Sequence, residues 1–185
     1  LFFKIKIKKV PNYKRLTIKK NNGYIINDGV DKFKIYNLNK LPRYFQGFQN
    51  SCNGTLSSYG FNEYFNLKQG SNVLNVGANI GETAFGLLEK NLSVKAIEPD
   101  LNQFNILRDN KKFYESKKKK SKVLLEIYNV ALSNKKSLEE FYIRSEHNDS
   151  TLVKPSNNKL KNYKKIIMNT YTIDDLLLLG FTKVE

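Results

Sequence analysis

The chain of 185 residues has few of the side chains that build covalent cross-links or metal sites. It contains one cysteine, Cys52, one histidine, His147, one methionine and no tryptophan. A single thiol excludes an intramolecular disulfide and leaves no cysteine cluster for zinc. We therefore name no metal-binding residues in this sequence. A reducing compartment is compatible with this composition, and the cytoplasm is the expected location.

Long apolar runs are also missing from the sequence. No stretch approaches the roughly 20 apolar residues that a membrane span requires, so no transmembrane segment is predicted. The opening LFFKIKIKKV alternates apolar and basic residues, which is typical of a strand and lacks the apolar centre of a signal peptide. The apolar content of 40% is sufficient for one principal domain.

Acidic residues are scarce relative to basic ones, and the net charge is +15. Residues 1–70 carry 13 lysines and arginines against 3 acids, and residues 111–122 add 7 lysines against 1 glutamate. Such a surplus could attract nucleic acid, anionic lipid or an acidic glycan. However, lysines outnumber arginines 28 to 4, which removes the bidentate groups that specific phosphate or base recognition prefers. AT-rich coding also produces such an excess of lysine over arginine without selection for a polyanion. A nucleic-acid partner is therefore kept only as the second choice.

The most informative segment that is present runs from Asn72 to Thr83, NVLNVGANIGET. The apolar residues of VLNV predict a buried parallel strand, and Gly77 follows where the chain must turn. Gly81 allows the next helix to pack close to that strand. Without side chains, Gly77 and Gly81 let the backbone approach a ligand, and the first N–H groups of a helix beginning near Glu82 favour negative charge. The segment therefore predicts a site for a nucleotide-type cofactor.

An acid at the end of the next strand narrows the type of cofactor. Glu98 lies 21 residues after Gly77, at the end of the segment VKAI, where a carboxylate can accept both hydroxyl protons of a ribose. Asn79 stands where the dinucleotide motif G-x-G-x-x-G has its middle glycine, which makes room for a pyrophosphate. The spacing thus favours an adenosyl ligand without a pyrophosphate. Among the alternative functions, an NAD-dependent oxidoreductase would need that missing glycine, so it ranks third. A nucleic-acid methyltransferase or binding module ranks second.

From Asn72 to about Gly180 the chain resembles the first part of an FkbM-type S-adenosylmethionine-dependent methyltransferase domain. The matching motifs, in order, are VLNVGANIGETAF, AIEPD, NVALSNKKSLEEFYI, NDSTL and NTYTIDDLL. The resemblance implies an α/β fold with a Rossmann-like class I methyltransferase parallel sheet, and S-adenosylmethionine as the cofactor. Asn75 departs from the family, which usually carries Asp there. Its amide still accepts hydrogen bonds but brings no charge, so cofactor affinity or selectivity could differ.

The resemblance also implies roles for particular residues. It places the methionine end of the cofactor against four turn residues, Gly77, Ala78, Asn79 and Gly81. It assigns the ribose to Glu98 and the adenine side to Pro99, Asp100, Asn129, Val130 and Ala131. Further candidates in the turn are Asn75, Glu82 and Thr83. Glu63 is a candidate because related methyltransferases often have an acid near the cofactor in the lead-in helix, although a solvated helix face explains it equally well.

The chain divides into a β-rich leader with a connecting segment, residues 1–56, and a partial methyltransferase domain, residues 57–185. Short strands are predicted at residues 2–8, 15–20, 24–27 and 32–38, with a hairpin turn at Asn22-Gly23. Pro42, Gly47 and Gly54 indicate the connecting segment over 39–56, and a helix is expected over 57–67. Strands and helices then alternate, which predicts a parallel sheet. A strand over 138–144, a polar irregular segment over 145–161, a helix over 172–179 and a strand from 181 follow.

The resemblance implies methyl transfer to a hydroxyl of a sugar or another small hydroxylated metabolite. Such a transfer needs a base. His147 is one candidate, in a polar segment with Asp149, Ser150 and Thr151, but a lone loop histidine is more often simply exposed. In the family the sheet continues beyond the position of Glu185 into an acidic IDVEG-like strand near the reacting groups. We therefore expect the base to lie past Glu185 and this piece to have little or no turnover, and a noncatalytic remnant is the structural alternative.

Overall fold

The computed structural model describes residues 2–5, 16–118, 123–144 and 150–178. Its first four strands are β1 (Phe2–Ile5), β2 (Leu16–Lys20), β3 (Tyr24–Asn27) and β4 (Lys32–Ile35), which form an antiparallel sheet in that order. Asn22 and Gly23 join β2 to β3 with positive φ angles of 39° and 108°, as a tight hairpin turn requires. In β2, Leu16 and Ile18 are buried and the residues between and after them are exposed. The predicted β-rich leader is therefore confirmed.

Three helical elements follow the leader, where the sequence suggested mainly a connecting segment. They are a 3-10 helix (Leu38–Tyr44), α1 (Phe48–Ser58) and α2 (Phe61–Tyr64). The predicted helix over 57–67 is confirmed only for the end of α1 and the short α2, because the longer helix, α1, begins at Phe48 and ends at Ser58. Phe48, Cys52 and Leu56, spaced four residues apart, form the buried stripe of α1. Gly47, with φ 101°, marks the beginning of α1 instead of a loop.

A parallel sheet forms the centre of the second half. Its strands are β5 (Asn72–Val76), β6 (Ser93–Ile97) and β7 (Leu125–Tyr128), joined by α3 (Glu82–Glu89) and α4 (Leu101–Lys117). Residue pairs such as Val76 and Ile97 lie side by side in β5 and β6. The predicted α/β class, with a parallel sheet after a small β-rich leader, is confirmed. Because parallel strands end at the same edge, the residues after β5 and β6 meet there.

A third sheet follows, made of β8 (Ala131–Leu132), β9 (Ser137–Arg144) and β10 (Tyr163–Tyr171), with β10 in the middle. The helices α5 (Asn157–Leu160) and α6 (Ile173–Leu178) lie on either side of β10 in the sequence. The predicted strand over 138–144 corresponds to β9. Strand β10 was not predicted. His147, Asp149 and the predicted strand from 181 lie outside the described residues, so their interpretation is untested. No described helix is long and apolar enough to cross a lipid bilayer.

One hydrophobic core joins the leader to the parallel sheet. The rings of Phe33 in β4 and Phe48 in α1 stack with centroids 4.6 Å apart, and Phe48 lies 5.7 Å from Phe85 in α3. All three side chains are buried in one cluster that extends to β6 and α4. The leader thus packs, through α1, on the helix that follows the glycine turn. The division of the chain into two domains at residue 56 stays a prediction.

Candidate functional site

The glycine turn connects β5 to α3 in a backbone conformation that suits glycine. Gly77 has φ 74°, Asn79 φ 52° and Gly81 φ 104°. A Cβ atom on Gly81 would lie 2.7 Å from Leu107 Cδ1 and would also overlap the Phe85 ring, so this glycine lets α3 pack closely. A Cβ atom on Gly77 would meet no atom within 4 Å. Gly81 therefore serves packing, whereas open space lies beside Gly77.

Backbone hydrogen bonds hold this turn against the end of β6. The N–H groups of Gly77 and Ala78 both donate to the carbonyl oxygen of Ile97, at 2.9 Å each. The Asn79 N–H donates to Glu98 Oε2 at 2.7 Å. Since these three donors are engaged within the protein, the donors left for an anionic ligand group are those of the first turn of α3.

Glu98 is the buried acid at the carboxyl end of β6, next to the turn. Its side chain is almost enclosed, at 6% exposure, and its Oε1 accepts from the Asp100 N–H at 2.8 Å. Burial raises the pKa of Glu98 to about 7, although the hydrogen bonds from Asp100 and Asn79 act in the opposite direction. Each carboxylate oxygen has a second lone pair beyond the one used here. The ionised group can therefore still accept hydrogen bonds from two neighbouring hydroxyls.

Two of the other residues proposed for the adenine side, Asp100 and Asn129, contact Glu98 and have structural roles. Asp100 caps α4, because its Oδ1 accepts from the Asn102 N–H at 2.9 Å. Asn129 follows β7 and donates through Nδ2 to the carbonyl oxygens of Glu98, at 2.8 Å, and Pro99, at 3.0 Å. Val130 is partly buried against Ile97 and Leu176, and Ala131 is buried at the beginning of β8. These side chains fix the segment after β6.

A cleft of about 400 Å³ lies along β5 on the side of α1 and α3. Apolar residues that include Tyr59, Phe61 and Phe65 line it together with Asn75, Gly77 and Thr83, and Glu98 is not among its lining residues. Asn75 is 9% exposed, and its Oδ1 has no hydrogen-bond partner among the residues that the structure describes. A buried acceptor without a partner costs roughly 1–3 kcal/mol, so this atom suits a ligand that supplies a donor.

The remaining acidic candidates lie apart from Glu98. Glu82 Oε1 accepts hydrogen bonds from Tyr44 Oη and Ser51 Oγ, at 2.9 Å each, so this carboxylate faces the leader and α1. Glu63 is exposed on α2 and is not among the residues that line the cleft. Of Glu82 and Glu63, only Glu82 makes side-chain contacts that stabilise the turn.

Three residues that support the turn were not found from the sequence. Tyr44 and Ser51 bind Glu82, and Asn110 in α4 donates through Nδ2 to the carbonyl oxygen of Ile80 at 2.9 Å. These contacts join residues 30 to 38 positions apart. No local pattern in the sequence indicates such pairs.

Three features at this edge of the parallel sheet could receive a ligand. The space beside Gly77, the remaining lone pairs of Glu98 and the unpartnered Asn75 Oδ1 lie on adjacent parallel strands. Both oxygens of Glu98 and the Asn75 Oδ1 could accept hydrogen bonds from such a ligand.

Comparison with known proteins gives partial likeness to solved structures only. A scan against family models and a search of curated proteins found no match. The methyltransferase FkbM from Methylobacillus flagellatus KT is 14% identical with a TM-score of 0.39, over 60% of this chain and 24% of that one. Coclaurine N-methyltransferase, bound to N-methylheliamine and SAH, is 17% identical with a TM-score of 0.32, over 47% and 23%.

YjhP from E. coli is 15% identical with a TM-score of 0.30, over 45% of this chain and 33% of that one. The chain thus spans between 23% and 33% of the length of these three structures. Identities and TM-scores this low assign the chain neither a family nor a function.

Proposed function

We propose that the chain forms the cofactor-binding part of an S-adenosylmethionine-dependent methyltransferase of the FkbM type. In the full-length protein the methyl group would go to a hydroxyl of a sugar or another small hydroxylated metabolite. The observation that carries the proposal is the buried Glu98 carboxylate beside the open space at Gly77. Both residues lie at the carboxyl edge of neighbouring parallel strands, where α/β proteins bind their ligands.

Each end of the cofactor would have its own partners in this chain. Glu98 would accept hydrogen bonds from the two ribose hydroxyls, as its remaining lone pairs allow. Asn75 Oδ1 would accept from the ammonium group of the methionine part. The first turn of α3 would receive the carboxylate, because helix N-termini favour negative charge. Pro99 and Val130 would contact the adenine ring.

The chemistry of such a site depends mainly on alignment. The bound sulfonium supplies an already activated methyl group. The residues of this chain would hold the donor in one orientation, so that a nucleophile meets the methyl carbon in line. A hydroxyl acceptor also needs a base to take its proton, and we assign that base to no residue of this chain.

The geometry of the turn disfavours a dinucleotide. A pyrophosphate needs a glycine where Asn79 stands, and the Asn79 N–H is already bonded to Glu98. We expect titration calorimetry of the chain at about pH 8, where Glu98 is ionised, to show binding of S-adenosylhomocysteine and no binding of NAD. Binding of NAD without binding of S-adenosylhomocysteine would contradict the proposal.

The acceptor class is tested on the full-length protein. Transfer of a labelled methyl group from S-adenosylmethionine to sugar hydroxyls, compared with transfer to RNA, separates the proposal from a nucleic-acid methyltransferase. Label in RNA alone, with binding that falls steeply as salt rises, would favour the nucleic-acid alternative. A full-length protein that binds no S-adenosylhomocysteine would favour a noncatalytic remnant.

A further inference from the structure

We propose that Tyr44 and Ser51 are positioning residues for the cofactor. They hold the Glu82 carboxylate towards the leader and leave the beginning of α3 available for the carboxylate of the ligand. This inference rests on the proposed function, because it concerns how the same site receives the methionine end of S-adenosylmethionine.

Glu82 lies where the turn passes into α3. It is the first residue of α3 and follows Gly81 directly, so it lies at the helix end that favours an anion. A free carboxylate at this place would compete with the carboxylate of a ligand for the same N–H groups, and the two like charges would repel each other. Binding of an amino-acid cofactor therefore requires that Glu82 be held elsewhere.

Three polar groups hold the Glu82 carboxylate. Tyr44 Oη and Ser51 Oγ both donate to Glu82 Oε1 at 2.9 Å, and Arg43 Nη2 lies 3.5 Å from the same atom. The Glu82 side chain is only 13% exposed. Two hydroxyl donors and one cation thus surround a single carboxylate oxygen. Hydrogen bonds to a charged group are among the stronger ones in proteins.

The two hydroxyl donors, Tyr44 and Ser51, are themselves fixed by packing. Tyr44 is 1% exposed, and its ring lies 4.8 Å from that of Phe33 in β4. Burial raises the pKa of Tyr44 far above its usual value, so its hydroxyl stays protonated and remains a donor. Ser51 is carried by α1, whose Phe48 belongs to the same aromatic cluster. The leader and α1 therefore act on the turn as one packed unit.

A second contact connects the leader to the other side of the turn. Asn110 in α4 is 2% exposed, and its side chain accepts from the Lys34 N–H and donates to the Lys34 carbonyl oxygen in β4. The same Nδ2 group donates to the carbonyl oxygen of Ile80 within the turn. Ile80 and Glu82, on the two sides of Gly81, are thus both tied to residues that contact the leader.

The test compares two ligands that differ only at the methionine end. S-adenosylhomocysteine has the amino-acid carboxylate, and 5′-methylthioadenosine lacks it. In the double variant Tyr44→Phe and Ser51→Ala, we expect affinity for S-adenosylhomocysteine to fall about tenfold and affinity for 5′-methylthioadenosine to change less than about twofold. Adding Glu82→Gln should restore most of the lost affinity, because it removes the competing charge. Dissociation constants from calorimetry give the comparison.

Two exposed hydroxyl residues provide a matched control. The exposed pair Tyr36→Phe and Ser58→Ala removes the same two hydroxyl types and should leave both affinities unchanged. Equal losses for both ligands, no loss, or no rescue by Glu82→Gln would overturn the inference. The single variants decide the matter if the double variant does not fold. A wild-type chain that binds neither ligand would instead contradict the proposed function, and this inference with it.

Discussion

Among the candidate site residues, Glu98 is the one whose side chain is buried, accepts two backbone hydrogen bonds and has a raised pKa. Its carboxylate is enclosed between the turn and the beginning of α4, and burial raises its pKa to about 7. The sequence predicted the position of this acid, because strand ends and glycine turns are local patterns. The pKa shift depends on the packing around the carboxylate and had no counterpart in the sequence pattern.

The shifted pKa predicts a specific dependence of stability on pH. The folded chain keeps a proton on Glu98 up to about pH 7, whereas the unfolded chain releases it near pH 4.5, the usual carboxyl value. The contribution of Glu98 to the free energy of unfolding is therefore complete below pH 4.5 and is lost as the pH rises through 7. The loss is on the order of 3 kcal/mol.

Urea unfolding of the wild type and of Glu98→Gln, from about pH 4 to about pH 8, measures this effect. The free energy of unfolding should decline more steeply in the wild type than in the variant over this range. Parallel curves would show that Glu98 titrates at an ordinary pKa.

At the scale of elements, prediction succeeded where the determining interactions are local. The hairpin at Asn22-Gly23 and the strands on each side of the glycine turn follow from turn residues and apolar runs. Helix α1 was placed too late, because Gly47 and Gly54 were interpreted as loop residues. In the structure Gly47 begins the helix, and a Cβ atom on Gly54 would meet no atom within 4 Å. Burial of Phe48, Cys52 and Leu56 in the core that contains residues of the leader and of α3 outweighs the weak helix propensity of these glycines.

The cap of α4 gives a prediction at this scale. Asp100→Ala removes the side-chain acceptor for the Asn102 N–H and should lower the free energy of unfolding by about 1 kcal/mol. Ser156→Ala is the matched control, because Ser156 precedes α5 without a capping hydrogen bond from its side chain. Urea denaturation of both variants measures the difference. Equal effects of the two substitutions would mean that the cap does not stabilise α4.

At the scale of the molecule, the leader and the parallel sheet with its helices share one hydrophobic core. Phe33, Phe48 and Phe85 connect β4, α1 and α3, and buried residues continue into β6. The sequence indicated a leader and a domain because composition and predicted elements change between them. It could not show their packing, since contacts between distant residues leave no periodic pattern.

The shared core predicts that the leader and the parallel sheet unfold together. Hydrogen exchange under native conditions should show the same opening free energy for buried amides in β3 and in β6. Phe33→Ala should lower both by about 3 kcal/mol or more, because it empties part of the shared core. Exchange in which β3 opens separately and β6 keeps its protection would contradict a single cooperative unit.

We propose that the buried Glu98 carboxylate holds the ribose of an S-adenosylmethionine-type cofactor. The most direct measurement is the dissociation constant of S-adenosylhomocysteine by calorimetry at about pH 8, for the wild type, Glu98→Gln and the exposed control Glu115→Gln. We predict that Glu98→Gln weakens binding at least about tenfold, which corresponds to about 1.4 kcal/mol, and that Glu115→Gln leaves it unchanged. Equal affinities in all three proteins, or no binding by the wild type, would contradict the claim.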